Sequence, residues 1–138
     1  SSFGVIRGLH YQMPPNAQSK LVSVISGKVL DVILDIRKGS PSFGNYIGIE
    51  LSSENQKQLF IPRGFAHGFS CLSKTAILAY KVDSYYNKNS EASIAFDDPQ
   101  LAIDWKVPLE KQILSSKDRE HSSFEAAKYF DYNQLLYD

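Results

Sequence analysis

Lys20-Leu21-Val22-Ser23-Val24-Ile25-Ser26-Gly27-Lys28-Val29-Leu30-Asp31-Val32-Ile33-Leu34-Asp35-Ile36 is the stretch that decides the fold. It holds two runs rich in Val, Ile and Leu, Lys20 to Ser26 and Lys28 to Ile36, joined by a tight connection at Gly27-Lys28. β-branched side chains suit a pleated surface, so both runs read as strands. Lys38-Gly39-Ser40-Pro41 breaks the second. Further short strands follow at Tyr46 to Leu51, Gln58 to Ile61, Ala66 to Leu72, Thr75 to Asp83 and Ser93 to Phe96. Ser52 to Asn55, Pro62-Arg63-Gly64 and Asp97-Asp98-Pro99 punctuate them. The runs at Ala66 and Thr75 predict a hairpin across Ser73-Lys74. Many short strands at such spacing predict an all-β sandwich or barrel. The tail changes character: Ser122-Ser123-Phe124-Glu125 fits a capping box, and Ala126-Ala127-Lys128 predicts a short C-terminal helix.

The bulk numbers place these strands in one domain spanning 1–138. Hydrophobic residues make up 43% and charged residues 22%, ordinary for a globular chain. Fifteen Lys and Arg balance fifteen Asp and Glu, so no net field draws in nucleic acid or an acidic membrane. The one cysteine, Cys71, lies among apolar residues and cannot close an internal disulfide, which fits a buried thiol in a reducing, cytoplasmic setting. No apolar run is long enough to span a bilayer. Ser1-Ser2-Phe3-Gly4 has no Met and opens directly into a strand, so a preceding segment is expected.

The informative residues are ionisable ones inside apolar strands: His10, Lys20, Asp31, His67 and Tyr80. A charge in such surroundings must be paired or hydrogen-bonded. Each has a bland reading. A lone His beside Phe and Gly is a satisfied structural group about half the time. Lys20 suits a solvated strand edge. Tyr80 suits a core aromatic, and Arg7 suits plain surface. Together in one small barrel they predict a polar cavity. A metal site needs His-x-His followed by a carboxylate and another His. His10 is followed by Tyr11 and Gln12, and of only three His one, His121, lies in the polar tail, so no metal is expected. Phosphate-binding glycine loops and nucleophile elbows are missing from the sequence.

At Gly4-Val5-Ile6-Arg7-Gly8-Leu9-His10-Tyr11-Gln12 the chain resembles the dTDP-4-dehydrorhamnose 3,5-epimerases. The resemblance continues through Gln18-Ser19-Lys20-Leu21-Val22, Asp35-Ile36-Arg37, Ser40-Pro41-Ser42-Phe43-Gly44 and Ile61-Pro62-Arg63-Gly64-Phe65-Ala66-His67-Gly68-Phe69. Tyr80-Lys81, Tyr85-Tyr86, Asp97-Asp98-Pro99, Ile103-Asp104-Trp105 and Leu114-Ser115-Ser116-Lys117-Asp118 complete it, in the family's order. From Arg119 on the chain is unmatched, and Lys106-Val107 precedes Pro108 where the family puts Pro directly after the tryptophan. The resemblance implies a cupin-type jelly roll, a dTDP-4-keto-6-deoxyglucose substrate, no cofactor, and a homodimer whose N-terminal segments reach into the partner.

It also implies roles. His10 with Asp118 is the base and its partner, Lys20 the cation beside the enolate, and Tyr80 the acid on the opposite face. Arg7 and Lys117 suit the diphosphate, His67 lines the sugar site, and Asp31 contacts it or orients a neighbour. Tyr86 and Glu91 match nucleotide-contacting positions. The competing readings are a mono-epimerase on a related dTDP-ketosugar, a non-catalytic sugar-binding cupin, and a metal-dependent cupin dioxygenase.

Overall fold

The computed structural model of the chain describes residues 1–115 and 121–137. Ten strands lie among the described residues: β1 Ile6–Gln12, β2 Lys20–Ser26, β3 Lys28–Asp35, β4 Arg37–Lys38, β5 Tyr46–Ser52, β6 Gln58–Ile61, β7 Phe65–Cys71, β8 Ile77–Val82, β9 Glu91–Ser93 and β10 Phe130–Asp131. One sheet has five strands in the order β5-β3-β7-β1-β9, and a second has three in the order β6-β2-β8. The expected all-β sandwich is present.

β3 explains why its sequence does not alternate. Val29 and Ile33 face the second sheet, in a core shared with Val22, Val24, Ile61, Phe69 and Cys71. Leu30, Val32 and Leu34 face the other way, where Trp105, Phe124 and Phe130 cover the five-stranded sheet. A central strand buried on both sides carries apolar residues on both faces, interrupted here by the buried Asp31. Cys71 is the buried thiol the sequence predicts.

Two local expectations are corrected. β7 and β8 do not form a hairpin. β7 is flanked by β3 and β1, so neither of its edges is open, and the chain crosses at Ser73 to pair β8 with β2 in the other sheet. Ser73 shapes this crossing: its Oγ donates to the Thr75 carbonyl at 2.6 Å and accepts the Lys28 amide at 2.9 Å.

The expected C-terminal helix is also absent; the stretch 124–126 is turn and 127 a bend. Its backbone groups are taken by other partners. The Ser122 carbonyl accepts from the Ala95 amide at 2.9 Å, and the Phe124 amide donates to Asp98 Oδ2 at 2.7 Å. The Tyr129 hydroxyl donates to the Phe124 carbonyl, the acceptor a helix would offer to Lys128. Ser123 Oγ accepts from the Ala126 amide, so the capping chemistry survives without a helix behind it.

β1 carries the irregularity that matters for the site. Its pairing with β7 shifts register between Arg7 and His10. Side chains three apart on a regular strand point to opposite faces; the shift turns Arg7 and His10 to the same side. Glycines make it sterically feasible. A Cβ on Gly8 would sit 2.7 Å from the Gly68 Cα, and one on Gly68 would sit 2.6 Å from the Arg7 carbonyl oxygen.

Candidate functional site

A cavity of about 350 Å³ opens between the two sheets, lined by Arg7, His10, Gln18, Lys20, His67, Gly68, Phe69, Tyr80, Val82 and Tyr86. The five-stranded sheet supplies one wall. His10 on β1 stands directly opposite His67 on β7, as paired residues of neighbouring strands. The three-stranded sheet supplies the facing wall. Lys20 on β2 pairs with Val82 on β8, and Val22 pairs with Tyr80, so parity sends Lys20, Tyr80 and Val82 inward together.

Asp31 lies behind this lining. It is 0% exposed, and its Oδ1 accepts a 2.6 Å hydrogen bond from Nε2–H of His67, itself 5% exposed. It therefore lines no part of the cavity and reaches it through the His67 ring. That ring also meets Tyr80 edge-on, with centroids 6.1 Å apart. Burial works on both groups of the far wall. It lowers the pKa of Lys20 from its ordinary value, against the opposing pull of Asp31 and Glu91. It raises that of Tyr80, and the Asp31 carboxylate adds to the rise. A cation that releases its proton more readily and a phenol that holds its own more firmly thus share one wall.

The rim is aromatic. Tyr86 lines the cavity, whereas Tyr85 is 91% exposed and does not. The Tyr86 hydroxyl donates to Glu91 Oε2, which places Glu91 behind Tyr86 rather than on the lining. Arg7 lines the same mouth and donates to the Ile6 carbonyl at 3.1 Å. Lys117 and Asp118 lie outside the described residues. From His121 on, the chain returns to β1: His121 stands beside His10, with ring centroids 5.9 Å apart.

Gln18 and Val82 are lining residues that the sequence reading missed. Both were accessible by parity, since Gln18 is two before Lys20 and Val82 two after Tyr80. Gln18 Nε2 donates to the Ser84 carbonyl at 2.7 Å, tying the start of β2 to the end of β8. Among the described residues no three His, Cys, Asp or Glu side chains gather at a point that suits a metal ion.

The comparisons with known proteins bear on the family and the fold. The family model for dTDP-4-dehydrorhamnose 3,5-epimerase matches residues 1–126. The dTDP-4-dehydrorhamnose 3,5-epimerase of Shigella flexneri is 48% identical over 130 residues, which is 94% of this chain and 71% of that protein. The crystal structure of the Elizabethkingia anophelis enzyme of that name superposes with a TM-score of 0.89 at 53% identity, over 91% of this chain and 69% of the other. The Legionella pneumophila dTDP-6-deoxy-D-glucose-3,5-epimerase, crystallised with dTDP-4-keto-L-rhamnose, gives 0.91 at 49% identity, over 97% of this chain and 72% of the other. With a family match across most of its length and near-half identity to such enzymes, the chain belongs to the dTDP-4-dehydrorhamnose 3,5-epimerase family.

Proposed function

We propose that the chain inverts C3 and C5 of dTDP-4-keto-6-deoxyglucose, with His10 as base, Lys20 as the cation beside the enolate and Tyr80 as the acid. The carrying observation is that His10 and Tyr80 line one cavity from opposite sheets, with Lys20 on the Tyr80 side. Inversion requires a proton to leave one face of a carbon and another to arrive on the opposite face.

The C4 ketone makes the neighbouring C–H bonds acidic. His10 takes the proton, the electron pair moves onto the C4 oxygen, and the Lys20 ammonium stabilises the charge that develops there. Tyr80 then delivers its proton to carbon from the other side. The resulting imidazolium and phenolate exchange protons with water, so the carbon changes configuration with no net oxidation. Asp118 is the expected orienting partner of His10. His67, fixed by Asp31, borders the sugar, and Tyr86 offers a face to the nucleotide. Arg7 and Lys117 suit the diphosphate oxygens.

The homodimer and the cytoplasmic location belong to the same proposal. Among the described residues no helix is long and apolar enough to cross a membrane. The test is incubation with dTDP-4-keto-6-deoxyglucose in deuterated water, followed by NMR. Deuterium at both C3 and C5 is expected. Label at one carbon would replace this reading by a mono-epimerase, and no label by a binding protein.

A further inference from the structure

Beyond residue 126, where the family match ends, the chain runs as a strap across one end of the sandwich. β10 pairs in parallel with β4, and the Phe130 amide donates to the Ile36 carbonyl at 3.0 Å. The strap then reaches Arg63. The Arg63 amide donates to the Tyr137 hydroxyl at 2.8 Å, and its guanidinium stands 4.8 Å from the Tyr137 ring centroid. Nη1 donates to the Leu136 carbonyl. The Arg63 side chain is only 17% exposed, so these contacts hold it in one place.

The rest of its guanidinium points at the catalytic wall. Nη2 lies 3.2 Å from Asp83 Oδ2. Asp83 Oδ1 accepts the Ser19 amide at 2.8 Å, and Oδ2 accepts the Ser19 hydroxyl. The topology gives this clasp its meaning. Lys20 sits on the middle strand of three, paired with Ile61 on β6 and Val82 on β8. Arg63 lies just past Ile61, Asp83 just past Val82, and Ser19 just before Lys20. The ion pair therefore joins the two outer strands across the start of the middle one, one residue from Lys20. Burial alone would raise the pKa of Asp83, but the Ser19 bonds and Arg63 outweigh it and hold the carboxyl below the ordinary aspartate value, so Asp83 is a carboxylate at neutral pH.

We propose that the C-terminal strap, acting through Arg63 and Asp83, is a positioning device that holds Lys20 in its catalytic place. The inference rests on the role given to Lys20 above. Arg63→Met keeps most of the stem and removes the donors, and a chain ending at Asn133 removes Leu136 and Tyr137 while leaving Arg63 intact. The full-length protein, Arg63→Met, the shortened chain, Lys20→Met and the Lys20→Met/Arg63→Met double variant are compared below their unfolding temperatures. Deuterium incorporation is followed by NMR, and affinity for dTDP by calorimetry.

Arg63→Met and the shortened chain should each lose about tenfold in kcat, since small misplacements of a reacting group are costly. Affinity for dTDP should stay within about twofold. In the Lys20→Met background, Arg63→Met should change the residual rate by less than about twofold, as expected when two substitutions act through one group. Folded Arg63→Met with full kcat overturns the inference, as does the same tenfold loss repeated in Lys20→Met. Full turnover by Lys20→Met alone would instead remove the role of Lys20, and the inference with it.

Discussion

The His67 imidazole and the Asp31 carboxylate share a 2.6 Å hydrogen bond with both side chains withdrawn from solvent. Such a bond fixes which ring nitrogen carries the proton and how the ring is turned toward the cavity. Asp31→Asn keeps the volume but removes the charge. It should lower kcat on the order of 10²-fold through a misplaced or wrongly protonated His67. Asp31→Leu should in addition destabilise the fold by about 1–3 kcal/mol, because it leaves the buried Nε2 without an acceptor. Steady-state kinetics and thermal unfolding of both variants check this.

Tyr80→Phe removes only a hydroxyl. Loss of a general acid costs about 10²–10⁴-fold, so formation of inverted product should fall steeply while proton abstraction from the base side remains measurable by deuterium exchange. Tyr86→Phe should mainly raise KM, because Tyr86 lies at the rim with its hydroxyl on Glu91. Normal turnover by Tyr80→Phe together with a dead Tyr86→Phe would mean that the acid is the other tyrosine.

The alkaline limb of the rate profile identifies Lys20. Burial lowers its pKa while the pKa of Tyr80 is raised, so Lys20 is the first of the two to lose its proton as pH rises. Turnover should therefore decline below the ordinary lysine pKa of about 10.4. Lys20→Arg, whose guanidinium stays charged, should retain part of the activity and lose that decline. A profile that keeps the same limb in Lys20→Arg would assign it to another group.

Acid stability depends on Asp35. Burial alone would raise its pKa, but Arg37, Ser40 and Ser42 all donate to it and together hold it well below the usual aspartate value. A depressed folded-state pKa contributes stability that is fully present above the unfolded value of about 3.9 and is lost as pH falls further. Asp35→Asn should cost about 2 to 4 kcal/mol at neutral pH. The gap in Tm between it and the unchanged chain should narrow below about pH 4. A gap of constant size down to pH 2 would contradict this assignment.

Lys20, His67 and Tyr80 were legible because each interrupts an apolar strand, where a polar side chain is conspicuous. Their meeting in one cavity followed from two β layers alone. The partition of strands between sheets was less accessible. Short loops such as Ser73-Lys74 read equally as hairpin turns or as crossings, and the choice depends on whether neighbouring edges are already paired. The helix expected after Ser122 failed for a similar reason: its local signals were sound, but Asp98 and Ala95 engage the backbone first. Asp31 was legible as a buried charge, yet its place behind His67 depends on the pairing of β3 with β7.

The register shift in β1 makes the backbone a ruler. Arg7 and His10 face the same cavity because the chain between them is irregular, so the span from the guanidinium to the imidazole is set by main-chain geometry. Shortening that stretch by one residue would restore regular pairing with β7 and leave the two side chains on the same face but only two positions apart, so the guanidinium and the imidazole would span a shorter ligand. Under the proposed roles, the enzyme measures the length of its substrate before it acts on it: a sugar carried on one phosphate instead of two would grip the arginine and hold its ketone short of the histidine.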